Sequence, residues 1–136
     1  MNTQLTPVPS IDAEKVWPFV AELVTDALDH GSSRVSPNDV REGVGTGRYQ
    51  LWVAWRGDAQ AIAVTEIIET ATTKLASIFI CVGNQMEDWL GHLETIEDWA
   101  RSEGCSLIAN LARWGWQRPL KKLGYKATHV MLEKKL

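Results

Sequence analysis

Three consecutive segments between Lys74 and Leu111 constrain this chain more than any other feature. "KLASIFICV" holds the unbroken apolar run Ile78–Val82, which reads as a strand buried on both faces and therefore interior to a sheet. Trp89, Leu93, Ile96 and Ala100 then recur at helical spacing, one stripe of a long helix from about Met86 to Glu103, stopped at Gly104. "CSLIANL" reads as a second strand around Ser106–Ala109. A strand, a long helix and another strand fit a parallel pair joined by a right-handed crossover.

The rest of the chain adds elements around that pair. The first ten residues carry Pro7 and Pro9, and Gln4 to Val8 can form a short edge strand. Val16, Phe19, Val20, Leu23, Val24, Ala27 and Leu28 follow the i, i+3, i+4, i+7 pattern of a helix, capped by Asp12 and ended by Gly31, with Pro18 expected to delay or kink its start. "SPNDVREGVGTG" reads as a short helix with Ser36 as cap and Pro37 as its first residue, broken by the glycines at 43, 45 and 47. "GVGTGR" is not a phosphate loop, because such a loop needs a strand before it and a helix after it, and here the order is reversed. "YQLWVAWRGDAQAIAVTEII" reads as a hairpin turning at "RGDA", with Leu51, Val53 and Trp55 on one face. After the second parallel strand come a short helix, about Trp116 to Leu123 with Pro119 in its first turn, a stop at Gly124, and a final strand "YKATHVMLEKK". The expected fold is α/β, a mixed sheet with helices on both faces, in one domain spanning residues 1–136.

Charge is distributed unevenly. The net charge is −3, which gives no general attraction to nucleic acid. From Arg113 onward, however, there are seven basic residues and one acidic residue, Glu133. No apolar stretch is long enough to span a bilayer, and "MNTQLTPVPSIDAE" lacks the regions of a signal peptide, so a non-secreted protein without a membrane span is expected. The two cysteines, Cys81 and Cys105, read as unbonded thiols at opposite ends of neighbouring strands.

Three pieces of this order resemble the GNAT family of acyl-CoA-dependent N-acetyltransferases: "LETIEDWARSEGC" with Ala100 and Gly104, "LKKLGYK" with the pair Gly124–Tyr125, and the hairpin from Tyr49. More narrowly, "LWVAW", "EDWL", "RWGWQRPLKKLGYK" and "LEKKL" resemble small GNAT-like proteins of tailed bacteriophages and prophages. The resemblance implies an acyl-CoA, acetyl-CoA first, as cofactor. It places the cofactor between the splayed ends of the two parallel strands, against Cys81, Val82, Gly83, Asn84 and Gln85. It also implies two departures. Glu87 and Trp89 fall where the family's phosphate-loop glycines belong, and Leu120 falls where its usual acid, a tyrosine, belongs.

Other candidates carry competing readings. Trp114 and Trp116 could stack bases, but tryptophans beside a short helix more often cover apolar area. Arg118, Lys121, Lys122 and Lys126 could meet phosphates of a coenzyme or a nucleic acid, against the commoner reading of a solvated basic face. Glu66 and Glu69 are candidate bases on a strand that would normally turn them to solvent. His30, His92 and His129 stand at no metal spacing, and no metal is expected. Glu87, Asp88, Glu94, Glu97 and Asp98 give the long helix an acidic face, solvated or a docking surface for a basic partner. Two functions are consistent with these residues. One is a divergent acyl-CoA-dependent N-acetyltransferase working largely by proximity. The other is a non-catalytic GNAT-fold module of a bacteriophage, structural or host-interacting, located in the host cytoplasm or the virion. Nucleic acid is not the expected partner of either, and the sequence leaves oligomeric state open.

Overall fold

Two strands whose side chains alternate between two apolar layers set the architecture. The structure, a computed structural model, describes residues 4–29, 34–83, 86–112 and 114–136, with the side chains of residues 86–88, 90 and 114 outside that description. Strands β2 (Tyr49–Arg56) and β3 (Asp58–Glu69) form an antiparallel hairpin about Gly57, whose φ of 72° is left-handed backbone that glycine adopts without strain. Leu51 and Val53 of β2, with Ile62 and Val64 of β3, enter one core layer; Trp52, Ala54, Ala61 and Ala63 enter the other. A short strand β1 (Leu5–Val8) pairs with the outer side of β2, as the edge reading of residues 4–8 anticipates. Pro7 is tolerated there because the outer side of an edge strand needs no donor.

Strand β4 (Lys74–Gly83) lies antiparallel to β3, and β5 (Leu107–Asn110) lies parallel to β4, giving one mixed sheet in the order β1-β2-β3-β4-β5. Helix α3 (Met86–Ser102) connects the parallel pair, and its stripe Trp89, Leu93, Ile96 and Ala100 is fully buried. Gly104, at φ 82°, stops it. On this face the core also takes Leu120 from α4 (Gln117–Lys121), which follows a 3-10 turn at Trp114–Trp116.

The opposite face is covered by α1 (Ala13–Asp29) and α2 (Pro37–Thr46). Trp17, Val20, Val24 and Leu28 form the buried stripe of α1. Phe19, expected in that stripe, is exposed and meets Trp55 edge-on at 6.1 Å. Asp12 closes a 3-10 turn, Ser10–Asp12, that runs straight into α1, with its N–H donating to the Pro9 carbonyl. Pro18 lies past the first turn, and the helix continues through it. Gly31 lies outside the described residues. Ser36 caps α2 in a reciprocal box with Asp39, and Pro37 occupies the first turn as expected.

Two expectations fail. Gly43 and Gly45 do not break α2, which runs on to Thr46 and ends at Gly47 with φ 83°. Gly43 is buried inside the helix because the Tyr49 ring occupies the space its side chain would need. The closing segment from Tyr125 to Leu136 is not a strand. Its strand-like sequence finds no ladder partner among the described residues, and its far end is tied instead by Arg34, which donates to Glu133 and to the Met131 sulfur.

Candidate functional site between the parallel strands

The pairing of β4 with β5 is incomplete. It runs from Leu75 opposite Leu107 to Ile78 opposite Asn110, and the Leu111 N–H donates to the Ile78 carbonyl at 3.0 Å. Beyond that point β4 continues to Gly83, still paired with β3, while its other side has no strand partner among the described residues. Backbone donors and acceptors along Phe79–Gly83 therefore face a gap where an extended ligand could pair with them.

An irregularity in β4 shapes this half of the strand. Thr65 of β3 stands opposite Ile78 and Val64 opposite Ile80, so Phe79 is an extra residue, a β-bulge. The bulge changes the side-chain phase. Ile78 belongs to the α3 layer, Ile80 to the α1 layer, and Cys81 to the α3 layer again. The apolar run Ile78–Val82 thus serves both faces of the sheet.

Cys81 and Gly83 stand at this gap. Burial alone pushes the Cys81 thiol up to about 12, so it is protonated at neutral pH and is no thiolate nucleophile. Both cysteines are free, as expected. Gly83 makes room rather than a turn. A Cβ there would lie 2.7 Å from the Ala61 Cβ and 2.7 Å from Nε1 of Trp89. The Trp89 indole is buried in the α3 layer, and its N–H finds no acceptor among the described residues. Val82 is half-buried against the α1 layer. Asn84 and Gln85, the other two expected contacts, lie outside the described residues. Glu87 and Asp88 fall in the first turn of α3.

Position 120 is not available for chemistry. Leu120 is buried in the core beneath α4, with only its backbone reaching Tyr125 and Leu123. Tyr125 itself was legible only as half of a Gly–aromatic pair. The structure shows its hydroxyl donating to Glu97 Oε2 at 2.7 Å, with burial and that carboxylate holding the phenol well above its ordinary range. A sequence separation of 28 hides this contact from local pattern. A second buried polar chain links Trp52 Nε1 to the Thr65 hydroxyl, which donates to Gln50 Oε1.

The remaining candidates disperse. Glu66 accepts from Arg48 at 3.0 Å and Glu69 faces Lys74, both away from the gap. His92 is buried on α3 against the Trp89 ring, His129 is exposed, and His30 lies outside the described residues. Among the described residues no three His, Cys, Asp or Glu side chains come together as a metal site. Arg118, Lys121 and Lys122, with Pro119, line an open depression of about 440 Å³ on α4. Lys126 is exposed. Trp116 is half-buried against the α3 layer, consistent with a packing role; the Trp114 side chain lies outside the described residues. No described helix is long and apolar enough to cross a membrane.

No protein-family model matches the chain, and no curated protein matches it. Solved structures do. An aminoglycoside acetyltransferase, meta-AAC0020, from an uncultured soil metagenomic sample, solved with sisomicin, superposes with a TM-score of 0.72 at 10% identity, over 98% of this chain and 95% of that one. A predicted acetyltransferase of Clostridium acetobutylicum, solved with acetyl-CoA, gives 0.71 at 13% identity, over 98% and 96%. A GCN5-related N-acetyltransferase of Ralstonia eutropha JMP134 gives 0.68 at 16% identity, over 98% and 99%. The chain has the GNAT-like α/β fold, a mixed sheet with helices on both faces.

Proposed function

We propose that this chain binds an acyl-CoA in the gap beside β4 and transfers the acyl group to an amine. The observation that carries the reading is the unpaired side of Phe79–Gly83, opened where β5 ends and bent by the bulge at Phe79. The pantetheine arm, an extended chain with amides, suits such an edge, and Cys81, Val82, Gly83, Asn84 and Gln85 are its proposed contacts. That a structural neighbour was solved with acetyl-CoA supports the choice of cofactor.

The phosphates meet a different environment from a glycine-rich loop. Glu87 and Asp88 fall in the first turn of α3, where the sequence of a phosphate loop would have glycines and no acidic residue. Arg118, Lys121 and Lys122 supply positive charge instead. They follow the C-terminal end of β5, and because β4 and β5 are parallel this is the same end of the sheet as the gap. The amine attacks the thioester carbon, the C–S bond breaks, and the leaving thiolate takes the proton that the amine loses. With Leu120 buried and Cys81 held as a thiol, rate comes from positioning. Isothermal calorimetry and thermal melting with acetyl-CoA and free CoA test this. Binding, a raised Tm and acetylation of primary amines are the expected results.

A second reading is favoured by one observation, that position 120 is core. It is a non-catalytic GNAT-fold module, structural or host-interacting, of phage origin and acting in the host cytoplasm or the virion. Failure of acetyl-CoA to bind or raise the Tm at millimolar concentration would leave this reading in place of the first.

A further inference from the structure

Two indoles are fully buried in the α3 layer, Trp52 and Trp89, and the fold treats their N–H groups differently. The Trp52 N–H donates to the Thr65 hydroxyl at 3.1 Å, and that hydroxyl donates onward to Gln50. The Trp89 N–H has no acceptor among the described residues. An indole nitrogen is a donor only, so nothing else on that side chain offsets its lost hydration. Folded proteins leave few such donors unpaired, and each exception calls for a cause.

The position of the N–H supplies one. Trp89 stands in the first turn of α3, and its Nε1 lies against Gly83, the last residue of β4 and the outer end of the unpaired edge. A Cβ on Gly83 would come within 2.7 Å of Nε1, so any side chain there would push the indole away from the edge. Gly83 is not needed for its backbone shape, because it lies in a strand and its φ is not positive. What the glycine provides is the approach of the donor to the edge. A chain laid along β4 runs about 4.8 Å from it. An oxygen carried on the α3 side of that chain closes the remaining distance to a hydrogen bond of about 2.9 Å.

We infer that Trp89 is a ligand-binding residue whose indole N–H donates to an oxygen at the pantoyl end of the acyl donor's pantetheine arm. The inference rests on the acyl-donor reading of the gap. The direction of the arm follows from the shape of the gap, which is closed at Phe79, where β5 ends beside Ile78, and open at Gly83. The thioester goes to the closed end, and the charged phosphates stay at the open end, where Arg118, Lys121 and Lys122 also lie. The pantoyl unit, with its carbonyl and hydroxyl oxygens, then comes level with Gly83. An uncharged donor in the same turn as Glu87 and Asp88 suits that uncharged segment better than a phosphate. By fixing how far the arm slides along β4, the N–H sets where the thioester stops.

Replacing Trp89 by its benzothiophene isostere, which keeps the fused rings and puts sulfur in place of the N–H, tests this, with Trp89→Phe as the conventional variant. S-acetyl-N-acetylcysteamine, S-acetylpantetheine and acetyl-CoA extend the arm stepwise and serve as probes. Dissociation constants come from calorimetry for acetyl-CoA and from NMR titration for the shorter donors. The isostere is expected to melt at the wild-type temperature or above, since it lacks an unpaired donor. It is expected to bind S-acetylpantetheine and acetyl-CoA each on the order of tenfold more weakly. Affinity for S-acetyl-N-acetylcysteamine, which stops short of the pantoyl unit, should not change. In the wild type, one indole N–H cross-peak, absent from Trp89→Phe, should move downfield with either longer donor. An isostere that melts lower yet binds every donor as the wild type does assigns the N–H a structural acceptor and overturns the inference. A loss confined to acetyl-CoA puts the donor on a phosphate and overturns it too, as does an equal loss for all three probes. Failure of every donor to bind the wild type sinks the acyl-donor reading and this inference with it, whereas binding that is indifferent to the N–H sinks this inference alone.

Discussion

Gly43 sets how closely α2 can approach the sheet. A glycine inside a helix costs about 1 kcal/mol relative to alanine. Here that cost is offset, because the Tyr49 ring fills the side-chain space, itself buried and packed edge-on against Phe79 at 4.9 Å. Two opposed terms therefore govern Gly43→Ala. Helix propensity favours alanine by about 1 kcal/mol, and overlap with a ring that has nowhere to move costs about 1–3 kcal/mol. The variant should be less stable than the wild type, measured by chemical denaturation, whereas Gly45→Ala, with open space at its Cβ, should be more stable. The run of glycines at 43, 45 and 47 looks alike in sequence yet serves three ends: close packing, no visible constraint, and a left-handed stop. Only the third is visible in a local pattern.

At the scale of elements, α4 shows how a basic and aromatic stretch divides into core and surface. Leu120 is buried, Trp116 half-buried, and Arg118, Lys121 and Lys122 are turned to the outside. Leu120→Ala should cost about 2–4 kcal/mol of stability and Trp116→Ala somewhat less, about 1–2 kcal/mol, because part of its ring is already wet. Changing Lys121 and Lys122 together to alanine should leave the melting curve within about 0.5 kcal/mol of wild type. A Trp116→Ala variant that melts like wild type would contradict the packing assignment. Leu123, which shares the i+7 position of that face, is 44% exposed, so the apolar face is one turn shorter than its spacing implies. Gly124, at φ 93°, ends the turn where the sequence places the stop.

Across the whole molecule, two groups make stability fall at high pH. Cys81 is raised from 9.0 to about 12 by burial, and Tyr125 is raised by burial and by Glu97. Both are neutral in the folded state while the unfolded chain ionises first. Their contribution is complete below about pH 9 and is lost as pH climbs toward the folded values. Thermal melts from pH 8 to pH 11 should show a falling Tm, and Cys81→Ala should make the fall shallower; equal slopes would contradict the burial assigned to this thiol. The same molecule shows what periodicity can and cannot report. The parallel pair, the α3 stripe, the hairpin and the stops at Gly104 and Gly124 were legible because each is a local pattern read against a fixed repeat. The gap beside β4 was legible only through resemblance to a family, since nothing in "SIFICV" marks where β5 ends. Tyr125–Glu97 was not legible, because the two meet only after α3, β5 and α4 are in place. The closing segment was misread for a different reason: its composition suits a strand, but a strand also needs a neighbour.

The extra residue at Phe79 makes β4 a sentence with a misplaced beat. Every side chain after it is heard on the opposite face from the one its position would dictate in a plain strand. Such a strand is more tolerant of changed letters than of a changed register. Replacing Ile80 with valine alters only bulk, but taking Phe79 into the ladder opposite Val64 would reverse the facing of everything from Ile80 to Gly83, turning Cys81 toward α1 and taking from Trp89 the bare backbone it rests on. Register at this one position, rather than chemistry, is what keeps the far half of the strand distinct from the near half.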